Sequence, residues 1–179
     1  MNDDEFFLML ACKVDGDLVK VISRERSDLE FKATGEKNSV LKSVKTIAAF
    51  ANRQGGNIVF GVSERPRTVC GCDGFLDEAE LQDILNKHLY PVPDISVFEH
   101  CIGDKKLFRI QVDAASRAPI MAIRDLQTSG VKNATVLSQG VIYFRRAGQT
   151  RPASGEGFPH FSKSETIVFA SQSLGFYRG

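Results

Sequence analysis

The stretch IAAFANRQGGNIVFGVSE, Ile47–Glu64, decides how this chain folds. Its first half continues a pattern begun upstream. Val40, Leu41, Val44, Ile47, Ala48 and Ala51 recur at helical spacing, with Lys42 and Lys45 facing away. Gly55-Gly56 ends that helix, since a helix C-terminus favours a positive backbone dihedral that glycine adopts without strain. NIVFGV, residues 57–62, is then apolar on both faces, which fits a central strand covered on each side. Upstream, SDLEFK (27–32) alternates, Leu29 and Phe31 to one face and Asp28, Glu30 and Lys32 to the other, as in a half-buried strand.

Outward from this unit, Asp3 to Cys12 reads as a short amphipathic helix followed by a VDGD turn. TGEKNS is a loop with Asn38 or Ser39 as helix cap. SERPR turns the chain into TVCGC. LDEAELQDILNKHL is a second amphipathic helix starting near Leu76 or Asp77; Leu81, Ile84, Leu85 and Leu89 point inward, and Pro91 and Pro93 stop it. DISVFEHC and KLFRIQVD alternate around Ile102-Gly103-Asp104 and predict a hairpin. APIMAI predicts a short strand, residues 124–139 a polar loop, and GVIYFRRAG a last strand entering a basic, glycine-marked turn. The order predicts an α+β domain, a mixed sheet with two main amphipathic helices packed on it. Three segments follow: an N-terminal helix and turn (1–22), the main domain (23–154) and a polar C-terminal tail (155–179).

The 179 residues are 42% hydrophobic and 25% charged with a net charge of +1, so a polyanionic partner would have to be met by local clustering. No apolar run approaches the roughly 18 residues of a membrane span, and the acidic start has the wrong polarity for a secretory signal. A cytoplasmic protein is expected. Cys12, Cys70, Cys72 and Cys101 then read as buried reduced thiols in core strands. Zinc on Cys70, Cys72, His100 and Cys101 matches no paired C-x-x-C pattern. There is no phosphate-loop motif and no G-x-S-x-G partner for His88, His100 or His160, which argues against an ATPase and a serine or cysteine hydrolase. His88 reads as a structural residue of the second helix.

Two clusters carry chemistry. Glu25 and Glu30 flank the first core strand and Glu64 follows the central one. Were those strands neighbours, three carboxylates would share a sheet edge and a hard cation, Mg²⁺ or Mn²⁺, that activates water at a phosphodiester. Glu30 and Lys32 share a face, an acid-x-lysine pair of the kind found in PD-(D/E)XK nucleases. The bland alternative is three solvated strand-end acids. Among the cations, Lys32, Lys37, Lys42, Lys45, Arg53, Arg65 and Arg67 fall in one half, and Arg145, Arg146 and Arg151 crowd the last strand. These would contact phosphates, with Tyr143 or Phe144 for stacking; a solvated helix face accounts equally for Lys42 and Lys45.

Taken together, ERSDLEFK, IAAFANRQGGNIVFGVSE and VIYFRRAGQTRPAS, spanning residues 25–154, resemble the Schlafen-type, AlbA-like domain, often labelled DNA-binding in bacteria. The resemblance implies a Schlafen/AlbA-like lobe that binds nucleic acid. In the Schlafen branch it implies a metal-dependent endoribonuclease cutting structured RNA such as transfer RNA. Carried over, Glu25, Glu30 and Glu64 would hold Mg²⁺ or Mn²⁺, Lys32 would steady the scissile phosphate, and Lys42, Lys45, Arg53, Arg145, Arg146 and Arg151 would grip the backbone. Two positions depart from the family pattern: Arg26 precedes Ser27, and Glu64 stands where aspartate is usual. Schlafen cores hold two lobes, so a single-copy chain is expected to form a homodimer. The other readings are a non-catalytic DNA- or RNA-binding regulatory module and a protein-interaction module.

Overall fold

A computed structural model of the chain describes residues 1–116, 119–129, 133–146 and 148–153. The chain opens with α1 (Asp3–Met9), started by a capping box in which Asn2 and Glu5 each accept the other's backbone N–H. It ends at Met9, three residues before the expected Cys12, because Cys12 already belongs to a strand. β1 (Cys12–Asp15) and β2 (Leu18–Val21) form a hairpin whose turn holds Gly16 at φ +59°.

β3 (Leu29–Lys32), α2 (Lys37–Ala51) and β4 (Gly56–Phe60) follow as one crossover unit, with β3 and β4 paired in parallel. α3 (Glu78–His88), capped by Asp77, leads into β5 (Leu89–Tyr90). β6 (Ile95–Ile102) and β7 (Lys105–Val112) make the expected hairpin, and β7 pairs antiparallel with β4. The main sheet therefore runs β3-β4-β7-β6, mixed as predicted. β8 (Met121–Ala122) pairs with β5, β9 (Leu126–Gln127) with β10 (Thr135–Leu137), and β11 (Tyr143–Arg146) with β12 (Gln149–Pro152).

Two cores flank the main sheet. On one face Val40, Val44 and Ile47 of α2 and Leu81 and Leu85 of α3 pack with Ile58, Phe60 and Ile110. On the other, Phe6, Leu10 and Val21 from the N-terminal elements pack with Leu29, Phe31, Val59 and Leu107. That double cover is why β4 carries apolar residues on both faces. Among the described residues, no helix is long and apolar enough to cross a membrane.

The corner after α2 explains its paired glycines separately. Gly55 holds φ +76°, donates its N–H to the Phe50 carbonyl at 2.9 Å, and would place a Cβ 2.4 Å from the Val112 carbonyl oxygen. Gly56 is needed for space: a Cβ there would lie 2.8 Å from the Phe50 ring and 2.9 Å from the Asp28 carbonyl oxygen. Buried Asn52 then ties the helix end to the later chain. Its amide donates to the carbonyls of Ile120 (2.8 Å) and Tyr143 (3.0 Å) and accepts the Ile120 N–H at 2.5 Å.

Several expectations are corrected. α2 starts at Lys37 with Glu36 before it and no side-chain cap; Asn38 lies inside the helix, where its amide reaches the Ser129 carbonyl at 2.9 Å. The stretch 124–139 contains β9 and β10, whose Leu126, Val136 and Leu137 are core residues hidden among polar neighbours. GVIYFRRAG is not the last strand, because β12 folds back on it through Gly148 at φ +76°. Cys70 and Cys101 are exposed, and Cys12 and Cys72 only half-buried, so the thiols are not core residues; all four are free. The tail 155–179 lies outside the described residues.

The corner yields a stability prediction. Asn52→Ala strands two carbonyls and one N–H in the core, each costing about 1–3 kcal/mol, and Gly55→Ala adds backbone strain and a clash. We expect Asn52→Ala to lose at least about 3 kcal/mol in urea unfolding, and Gly55→Ala to lower the midpoint as well. A loss under about 1 kcal/mol for Asn52→Ala would show that the corner is not a clamp.

Candidate functional site

Glu30 sits in register with Ile58, so its side chain points to the α2 face of the sheet, under β11. A carboxylate there cannot remain unpaired. Arg145 of β11 reaches it: Nη2 donates to Glu30 Oε2, the two side chains being 2% and 11% exposed. Arg145 is fixed on its other sides. Nη1 donates to Thr150 Oγ1 at 3.2 Å, Nη2 also lies 3.5 Å from the Arg26 carbonyl, and Cζ stands 5.2 Å above the Phe50 ring. Its Nε is buried with no hydrogen-bond partner. The second oxygen of Glu30 accepts from Lys32 Nζ at 2.5 Å. Arg53 supports the strand itself, donating from Nη1 to the Arg145 carbonyl at 3.0 Å.

This ion pair lies at the floor of an open groove of about 700 Å³ between the first half of α2 and the β11–β12 hairpin. Thr46 and Thr150, with hydroxyls 3.4 Å apart, share the floor. Lys42 and Lys45 of α2 line one side and Arg151 of β12 the other. With Lys32 and Arg145 the lining carries five cations against two carboxylates, Glu30 and Glu36. A chain of net charge +1 thus gathers a positive trough in one place.

The structure sorts the predicted site residues into those it gathers and those it does not. Glu30, Lys32, Lys42, Lys45, Arg145 and Arg151 line the groove. Glu25 is exposed and accepts the Phe31 N–H of the edge strand at 3.3 Å. Glu64 is exposed in the turn after Val62, beside Ser63, whose hydroxyl donates to the Pro66 carbonyl at 2.6 Å. β3 and β4 are neighbours as the trio required, yet the three carboxylates do not form a group. Among the described residues no three His, Cys, Asp or Glu side chains lie together as a metal site. Glu30 is paired with two cations and no further carboxylate joins it among the described residues, so this donor set does not fit Mg²⁺ or Mn²⁺, ions that need several oxygen ligands at one point. Arg146, exposed, is adjacent in sequence to Arg145 and points to the opposite face of β11. Tyr143 is buried with its hydroxyl accepting the Ser138 N–H at 2.9 Å, which removes it as a stacking platform.

The zinc alternative fails on placement too. His100 is buried under α1, stacked on Phe6 at 3.9 Å, with Nδ1 2.9 Å from Asp3 Oδ1, and Nε2 accepts from Arg109 Nε at 3.3 Å. Burial pushes the Cys72 thiol up to about 11, the wrong direction for a ready thiolate ligand. His88 is half-buried on α3, as expected of a structural residue. Sequence reasoning missed Thr46 and Thr150, which carry no motif. It also missed that Arg145 is buried; the signal was present, since Arg145 shares a strand face with the apolar Tyr143.

A family model described as Schlafen, AlbA_2 matches residues 25–154. Over 73 residues the chain is 34% identical to the uncharacterized ATP-binding protein UU034 of Ureaplasma parvum serovar 3, a match covering 38% of this chain and 21% of that protein. The chain thus spans about a fifth of that relative's length. Among solved structures, the DIP2311 protein from Corynebacterium diphtheriae aligns with a TM-score of 0.54 at 17% identity, over 84% of this chain and 26% of that one. It shows the fold alone. The N-terminal domain of a RecG-related protein from Nitrosomonas europaea aligns at a TM-score of 0.44 and 18% identity, over 90% of this chain and 99% of that one. With the family model covering most of its length, the chain belongs to the Schlafen AlbA_2 family.

Proposed function

We propose that this domain binds nucleic acid through its sugar–phosphate backbone, as a non-catalytic module, in the groove between α2 and the β11–β12 hairpin. The observation that carries the reading is the cationic trough itself. Lys42, Lys45 and Arg151 line it, Lys32 and Arg145 stand at its floor, and Thr46 and Thr150 add hydroxyls. Ammonium, guanidinium and hydroxyl groups are the usual partners of phosphate oxygens. Among the described residues the groove lining includes no aromatic side chain, which favours contacts to the backbone over stacked bases. Membership of a family often labelled DNA-binding agrees with this reading. Homodimerisation belongs to the proposal on the resemblance alone: a second lobe would lengthen the trough.

Cleavage of structured RNA is the reading that the resemblance favours. Glu25 and Glu30 keep the family's spacing at the edge strand, but one Glu25 oxygen accepts a backbone N–H and Glu30 is held in an ion pair with two cations. Cleavage is therefore left to the test.

Anisotropy of a labelled duplex gives the measure. Between about 50 and 200 mM salt, affinity should fall with a log–log slope of about −0.9 per phosphate neutralised. Lys42→Ala with Lys45→Ala should flatten that slope by about 2 units across unrelated sequences, whereas Arg146→Ala, outside the groove, leaves it unchanged. Affinity that ignores salt would end the proposal. In a parallel reaction, labelled tRNA with Mn²⁺ should stay intact; a cut product that disappears in Glu30→Ala would restore the nuclease reading.

A further inference from the structure

The groove floor poses a question of charge that the binding proposal leaves open. A carboxylate as enclosed as Glu30 needs a cation beside it. On the nuclease reading that cation would be a divalent metal, which needs further oxygen ligands beside Glu30. Here the cation is covalently part of the chain: the Arg145 guanidinium pairs with the carboxylate. Nor can it readily be displaced. Thr150, the Arg26 carbonyl and the Phe50 face hold the guanidinium, and Arg53 holds the strand that carries it. Lys32 takes the remaining oxygen of Glu30. A metal entering at Glu30 would compete with two paired cations, and expelling Arg145 would leave that guanidinium buried without its counter-ion.

We infer that Arg145 is the resident cation of the β3 carboxylate, in the place of a divalent metal, so that phosphate binding in this groove requires no Mg²⁺ or Mn²⁺. Glu30 is then the counter-ion that keeps Arg145 and Lys32 at the floor, and is not a metal ligand. The inference rests on the nucleic-acid reading only for its binding arm; its metal arm concerns the protein alone.

The metal arm is a Mn²⁺ titration followed by electron paramagnetic resonance of the free ion, with protein and no nucleic acid. The free-ion signal should be undiminished at equimolar protein. Uptake of about one Mn²⁺ per chain that is lost in Glu30→Gln or Glu25→Gln overturns the inference. Glu25→Gln guards against a folding failure, because Glu25 is exposed and glutamine still offers Phe31 an acceptor oxygen. Uptake unchanged in both variants places the ion elsewhere and supports it. In the binding arm, duplex affinity in EDTA and in Mg²⁺ at matched ionic strength should agree within about twofold. Loss of binding in EDTA overturns the inference. Absence of binding in both buffers at low salt instead overturns the nucleic-acid reading and leaves the Mn²⁺ result standing.

Discussion

The buried pair between Glu30 and Arg145 joins residues far apart in sequence and sets where the groove is. β3 is an edge strand of the main sheet, while β11 belongs to a separate two-stranded sheet. Besides the packing of α2 against β11 and β12, this pair draws the hairpin over the edge strand. Such a pair gives little net stability, because two desolvated charges offset most of their mutual attraction. Its contribution is geometric. Breaking either half leaves an uncompensated buried charge, so the hairpin has one arrangement relative to β3. Hydrogen bonds from Lys32 to Glu30 and from Arg145 to Thr150 extend the constraint across the floor, while Arg145 Nε stays unpaired.

The pair depends in turn on the corner that follows α2. Phe50 is fully buried, and its ring lies under the Arg145 guanidinium on one side and against Gly56 on another. A side chain at residue 56 would push that ring away from the start of β4 and disturb the support of Arg145. Asn52, two residues further on, binds the backbone of Tyr143, two residues before Arg145 in the same strand. Arg53 binds the carbonyl of Arg145 itself. The motif around Ala51–Gly56 therefore does more than turn the chain: it is the bracket that places β11.

Much of this architecture can be read from residue order. The periodicity of α2, the doubly apolar β4 and the β6–β7 hairpin follow from local patterns that the tertiary structure does not override. What escapes is decided by distant partners. Glu30 belongs to an alternating strand and looks solvated until a residue 115 positions later arrives to pair with it. Leu126, Val136 and Leu137 sit among turn-forming and polar residues, and their two short strands have too few residues for a period to show. Lys42, Lys45 and Arg151 were recognised as cations, but their convergence is a property of the fold.

The glutamate trio shows why spacing alone does not establish chemistry. Glu25 and Glu30 keep the separation that the family motif implies, and β3 does lie beside β4. Yet catalysis by a metal needs free lone pairs directed at one point, and that depends on what else reaches those oxygens. In this chain an N–H of the edge strand reaches Glu25, and two cations reach Glu30. With Arg145 and Lys32 paired to Glu30, the floor carries one more positive than negative charge. What the fold supplies is a frame; what one guanidinium or carboxylate meets on that frame decides the chemistry, and the fold alone does not.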